Sequence, residues 1–410
     1  MDKKTIDKIV WWIPIKKYRN YIRNYMSYYF DSKKIKYKIN SKIYIKYNKD
    51  KYFETRLNYI IHLSKLFNYK RSYTGNYMLD EITPHYFNNI IFYSNFAEVE
   101  KNIIKIYDLD LIKRIFYMFD DEYSKDIYLL GLINRMLNFQ VSKGIMFNLY
   151  YSHIFNFFHK LSDSIIDSFD LNGEKWNLFD FSLINGINSQ IKIYSRSQYE
   201  IFTNFFLEQY RYKDKLFAQE GDYVIDAGGY IGDTSIYFAN LVGNNGKVFS
   251  FEFIPENIAI YKKNLDINPH LKDIISIVQN PLYDVSNKKV KVLLEGPGSK
   301  IVKDYDNNFT YEYNTITIDD FVINNNIKKI DLIKMDIEGS EQKALNGAIN
   351  TIKRFRPKLA ICVYHEKNDY YEVPFLLKKL LKDYNYKYYF DHFTLGIGES
   401  VIFCKPNSNM

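Results

Sequence analysis

Tyr223-Val224-Ile225-Asp226-Ala227-Gly228-Gly229-Tyr230-Ile231-Gly232-Asp233-Thr234 decides the fold of this 410-residue chain. An apolar run ends on a carboxylate, glycines follow, and a polar pair opens the next segment. That is the pattern of a buried parallel strand, a tight turn and a helix start, with the strand's carboxyl end facing a ligand crevice. The next strand signal, Val248-Phe249-Ser250-Phe251-Glu252, also closes on an acid, where a ribose diol needs an acceptor.

A dinucleotide turn reads G-x-G-x-x-G and delivers a pyrophosphate to the helix N-terminus. Here Asp226 stands ahead of Gly228-Gly229 and Asp233 follows Gly232. Carboxylates so placed repel a pyrophosphate and suit a cofactor carrying an ammonium and a sulfonium. The predicted cofactor is therefore S-adenosylmethionine, with Asp226, Gly228, Gly229, Tyr230, Gly232, Asp233, Thr234 and Glu252 as its binding residues. Asn280, after the strand Ile274–Val278, is expected to bond the adenine edge, and Asp336 to lie by the reacting methyl. Asn280-Pro281-Leu282-Tyr283 resembles an N-P-P-Y motif, but it follows the third strand where that motif follows the fourth, so it reads as loop chemistry.

The alternation continues to the C-terminus. Helices are expected from about Asp233 to Leu241, Glu256 to Leu265, Glu341 to Phe355 and Tyr371 to Leu381. Strands are expected at Asp331–Asp336, Leu359–Tyr364, Tyr386–Phe390 and Ser400–Phe403, with hairpin-like runs at Val290–Leu294 and Tyr313–Ile318. Such a chain predicts an α/β fold: a Rossmann-like, mostly parallel sheet between helices, its last strand antiparallel because no helix precedes it. From about Glu98 to Phe206 the apolar spacing is mostly helical. The expected division is a basic segment 1–50, a mainly helical N-terminal domain 51–220 and the cofactor domain 221–406.

The run from about Ile115 to Lys405 resembles the FkbM-type methyltransferases, most strongly over 221–365. The matching residues are Asp226 to Thr234, Phe251-Glu252-Phe253-Ile254-Pro255-Glu256-Asn257, Asn264-Leu265 and Thr317-Ile318-Asp319-Asp320-Phe321. Most specific is Lys334-Met335-Asp336-Ile337-Glu338-Gly339-Ser340-Glu341, similar to a K-x-D-x-E-G-x-E signature, followed by Gly347, Pro357 to Ile361 and Tyr364-His365. Asp121 to Lys125 with Asn134-Arg135 resembles the helical lead-in of many members. The resemblance implies a class I methyltransferase sheet and O-methylation of sugar hydroxyls of glycans or of metabolites. It is silent on the first hundred residues.

Methyl transfer from a sulfonium needs alignment and exclusion of water, and an alcohol acceptor also needs its proton removed. The expected catalytic residues are His365, whose intrinsic pKa suits a base near neutrality, and Asp336 at the neighbouring strand end. Glu341 reads as a helix-start carboxylate. No metal is expected, because Asp336, Glu338 and His365 show no recognised ligand spacing. Two competitors remain: a nicotinamide-dependent sugar oxidoreductase, which lacks its G-x-G-x-x-G turn here, and a non-catalytic scaffold of glycan assembly.

Charge is uneven: residues 1–50 hold 14 Lys+Arg against 4 Asp+Glu, while the whole chain nets only +8. Ile9-Val10-Trp11-Trp12-Ile13-Pro14-Ile15, next to Lys16-Lys17-Tyr18-Arg19, is too short to span a membrane. It suits either a peripheral anchor on anionic lipid or lipid-linked sugar, or a tryptophan pair packed on the helical domain. Lys34–Ile39 alternates as an edge strand, and Ile145–Leu161 reads as a core helix. The expected partner is a small-molecule or glycan acceptor and not nucleic acid, since Lys/Tyr interleaving without a reading motif follows codon bias. Cys362 and Cys404, without a CxxC partner or secretory signal, fit a cytoplasmic protein, with the inner membrane face as a candidate peripheral location.

Overall fold

The computed structural model describes residues 108–137, 161–171, 173–184, 190–293, 300–302, 309–393 and 398–407. The basic segment with its tryptophan pair, the Lys34–Ile39 run and residues 145–160 lie outside them.

The centre is a sheet of β4 (Tyr223–Ala227), β5 (Lys247–Phe251), β6 (Ile275–Val278), β10 (Leu332–Met335), β11 (Lys358–Cys362), β12 (Tyr386–His392) and β13 (Ser400–Pro406). Its order is β12-β13-β11-β10-β4-β5-β6. Pairing is parallel from β11 through β6, and β13 runs antiparallel to both β11 and β12. Strand alternation sends Ile225, Ala227, Ile333, Met335, Leu359 and Ile361 into one core. Val224, Leu332, Ala360 and Cys362 enter the other. Both faces are therefore apolar, as the continuous hydrophobic runs of parallel strands require. This is the Rossmann-like class I methyltransferase sheet expected from the sequence.

Residues ahead of Gly221 line both cores. Helices α1 (Leu109–Phe116) and α2 (Glu122–Leu137) place Ile112, Phe116, Tyr128 and Leu132 in the first. Phe179, Ile193, Phe202, Tyr210 and Leu216 lie in the second.

The helical expectation for Glu98 to Phe206 is overturned between Ile165 and Ser195. Strands β1 (Ile165–Leu171), β2 (Glu174–Asp180) and β3 (Lys192–Ser195) form an antiparallel sheet there. An Asn172-Gly173 pair between β1 and β2 is a two-residue hairpin signal that outweighs local apolar spacing. The open edge of β3 is closed by the helix Pro255–Asp266 and the turn after it. Asn264 Oδ1 accepts from Tyr194 N at 2.7 Å and Asn268 Oδ1 from Lys192 N at 3.0 Å, while Asn264 Nδ2 donates to Ile231 O at 2.9 Å. One buried amide thus ties the small sheet to the glycine-rich turn.

The expected helix Glu341–Phe355 is two helices, Glu341–Asn346 and Ile349–Phe355. Asp319 caps the second by accepting from Asn350 N and Thr351 N at 3.0 and 2.7 Å, and Asp319 N donates to Gly347 O. The hairpin-like runs fall at β7 (Lys289–Leu293) and β9 (Tyr311–Asn314), and β7 is the centre of a separate sheet, antiparallel to β9 on one side and to β8 (Lys300–Val302) on the other. Among the described residues no helix is long and apolar enough to cross a membrane.

Candidate active site

The carboxyl ends of β4, β5 and β10 converge. Gly228 N and Gly229 N donate to Phe251 O at 3.1 and 3.0 Å, and Asp336 N donates to Ala227 O at 3.0 Å. Gly228 holds φ +88°, and a Cβ there would fall 1.8 Å from Asp336 O. Gly232 holds φ +86°, with the Tyr261 ring 2.3 Å from where its Cβ would stand. Glycine is demanded at both by conformation and by space. The helix that follows runs from Asp233 to Val242 with Gly232 as its N-cap.

Asp226 on β4 faces Lys334 on β10 as direct parallel partners. Their side chains are 0% and 1% exposed, and Lys334 Nζ lies 2.9 Å from Asp226 Oδ1 while donating to Gly228 O at 2.6 Å. Thr234 Oγ1 donates to Asp226 Oδ2 at 2.7 Å, and Ser235 Oγ donates to the same oxygen. Burial alone would lower the Lys334 pKa, but Asp226 and then Asp336 raise it above its ordinary value. The pair locks the glycine turn onto β10 and neutralises the only lysine in the signature. Asp226 and Thr234 thus act inside the scaffold of the turn.

Glu252 ends β5. Its Oε1 accepts from Phe253 N at 2.8 Å and Ile254 N at 2.7 Å. Burial raises its carboxyl to about 7. Asp233 accepts from Asn204 Nδ2 at 2.7 Å, and burial raises it to about 6. Tyr230 takes a left-handed backbone at φ 43°, and its hydroxyl accepts from Arg196 at 2.7 Å. Arg196 stacks 5.0 Å over Trp176, so the small sheet braces the turn. Asn280 is half-buried beyond the end of β6 and donates to Asn314 O at 3.1 Å, committing that N–H to β9.

The two expected catalytic residues meet. His365 Nε2 lies 3.0 Å from Asp336 Oδ1 and 3.6 Å from Glu338 Oε1, and Nδ1 lies 2.9 Å from Glu341 Oε1. Tyr210 donates to Asp336 Oδ2 at 2.7 Å and Tyr364 to Oδ1 at 3.0 Å. Burial would raise Asp336, but the His365 contact and charge hold it well below the usual carboxylate range. Burial would lower His365, yet Glu341 and Glu338 raise it well above its ordinary value. A shift in that direction runs against its selection as a ready base. Glu399 stands beside them, accepting from Gln209 Nε2 and, at 3.3 Å, from Tyr364, and burial followed by the Asp336 charge raises it to about 8.

Sequence reasoning missed Lys334 as a site residue, although the signature contained it. It also missed Tyr210, Gln209 and Glu399, which come from outside the motif and reach the site only through folding.

The sheet order and its parallel core are those of a class I methyltransferase fold. Residues 226–388 match the methyltransferase FkbM domain. The solved structures similar to it include methyltransferase FkbM from Methylobacillus flagellatus, at 17% identity and TM-score 0.44, covering 75% of this chain and 60% of that one. The chain thus spans less than two thirds of that methyltransferase. Fibrillarin from Aeropyrum pernix with bound S-adenosyl-L-methionine aligns at 12% identity and TM-score 0.33, covering 58% of this chain and 98% of that one. An O-methyltransferase from Bacillus cereus in complex with SAH aligns at 12% identity and TM-score 0.30, covering 45% and 74%. No curated protein matches the chain.

Proposed function

We propose that this protein is an S-adenosylmethionine-dependent O-methyltransferase acting on a hydroxyl of a sugar, glycan or related metabolite. The observation that carries the reading is the convergence of acid-tipped β4, β5 and β10 on a glycine turn beside Lys334 of β10, whose charge is already neutralised by Asp226. That donor set suits a cationic cofactor with a ribose diol and opposes a pyrophosphate. Bound there, the cofactor would supply a sulfonium methyl for in-line displacement.

The chain's own groups divide the remaining work. Glu252 is the acceptor for the diol, and the Asp226–Lys334 pair fixes the turn against which the cofactor lies. Asp336 and His365 contact the acceptor oxygen. Tyr210, Tyr364, Gln209 and Glu399 add phenol, amide and carboxyl groups around Asp336, a polar lining suited to a polyhydroxylated acceptor.

The test is to incubate the full chain with methyl-labelled cofactor and a panel of nucleotide sugars, lipid-linked sugars and cell-wall glycans. Label should enter a carbohydrate and survive mild alkali, as an ether does. An alkali-labile product would rule out the hydroxyl acceptor, and label transferred only to protein or nucleic acid would rule out the glycan.

A further inference from the structure

The turn after β10, the start of the helix Glu341–Asn346 and the segment after β11 bring three side chains of metal-ligating type to one place. Asp336, Glu341 and His365 each offer one atom, and the three atoms lie within 4.8 Å of one another. His365 is 5% exposed and Glu341 1%. The carboxylates sit 2.9 and 3.0 Å from the imidazole nitrogens, one against each. Both ring nitrogens, and Glu341 Oε2, are buried without a hydrogen-bond partner. Buried polar atoms left so are costly, and they point to something between them. Two donor atoms each about 2.1 Å from one cation, at a right angle, stand about 3.0 Å apart, the spacing of His365 Nε2 from Asp336 Oδ1, while Glu341 lies against the other ring nitrogen.

Charge argues the same way. Asp336, Glu338 and Glu341 face one imidazole, and the neighbouring Lys334 is committed to Asp226. Carboxylates outnumber cations here even with His365 protonated. The outer contacts are those that hold metal ligands in place. Tyr210 and Tyr364 orient Asp336, and Ile337 N donates to Glu341 Oε1 at 2.8 Å.

We infer that Asp336, Glu341 and one nitrogen of His365 bind a divalent first-row cation of the manganese or zinc type, with its remaining positions open to the acceptor. Two carboxylates with one imidazole suit such ions better than magnesium, which favours all-oxygen sites. The inference deepens the methyltransferase reading and rests on it for its consequence: a hydroxyl on the cation loses its proton to water more readily. His365 then serves as a ligand and not as the base.

The experiment uses the full chain stripped with a chelator and then titrated with manganese(II) alone, by calorimetry and by electron spin-echo modulation. A parallel titration uses S-adenosylhomocysteine. One manganese per chain is expected, with nitrogen modulation from an imidazole, and binding at least tenfold weaker in Glu341→Gln and His365→Ala. Chelation should abolish methyl transfer and leave S-adenosylhomocysteine binding intact. A wild-type chain that binds S-adenosylhomocysteine but takes no manganese, or takes it without nitrogen modulation, overturns the site; the spin-echo result decides even if His365→Ala does not fold. Manganese binding without any S-adenosylhomocysteine binding would instead sink the methyltransferase reading alone.

Discussion

Replacing Lys334 with Met should be the most costly single change at the cofactor turn. The Lys334–Asp226 separation is 2.9 Å with both side chains buried. At an effective dielectric near 20, that separation corresponds to about 6 kcal/mol of attraction, much of it offset by the desolvation of both charges. Methionine leaves the Asp226 carboxylate buried with only the Thr234 and Ser235 hydroxyls as donors, and deprives Gly228 O of its Nζ donor. Breaking one side of such a pair costs about 3–5 kcal/mol. Urea unfolding at neutral pH should register that loss, and S-adenosylhomocysteine binding should fall with it because the turn loses its tie to β10. The double variant Asp226→Asn/Lys334→Met should recover part of the stability, since no unpaired charge remains. A Lys334→Met protein within about 1 kcal/mol of wild type, or a double variant no better than the single one, would refute the reasoning.

Gly228→Ala forces a Cβ to within 1.8 Å of Asp336 O at φ +88°, so melting should show a loss of at least about 2 kcal/mol together with lost cofactor binding; an unchanged melting curve would contradict the close approach. Burial raises Glu252 from 4.5 to about 7, so the folded chain keeps this proton to higher pH than the unfolded chain does. Its stabilising share is therefore full below 4.5 and is lost as pH rises through about 7. Glu252→Gln should consequently gain on wild type between pH 5 and pH 8, by up to roughly 3 kcal/mol in urea unfolding, and parallel stability curves would remove the buried acid from the account. Glu252→Ala should weaken S-adenosylhomocysteine binding while the fold stays cooperative.

The strand tips were legible because their signals are local. An apolar run ending in Asp226 or Glu252 can only be a buried strand opening onto a crevice, and the Asp226–Lys334 pairing follows once β4 and β10 are neighbours. The antiparallel β13 was equally readable, since nothing between it and β12 could form a crossover helix. The sheet at 165–195 was not read, because mixed apolar spacing was allowed to outweigh the Asn172-Gly173 turn. At the site, the meeting of Asp336 and His365 was foreseen from strand order. The upward shift of His365 was not, because it depends on Glu338 and Glu341, whose approach is set by the turn after β10. Tyr210 and Glu399 carry no local mark of function and reach Asp336 across 126 residues in one case and through the β12–β13 connection in the other.

Calorimetric titration of the full chain with S-adenosylhomocysteine and, separately, with NAD addresses the central claim most directly. One S-adenosylhomocysteine per chain and no heat from NAD is the predicted result. Binding of NAD with none of S-adenosylhomocysteine would contradict the account.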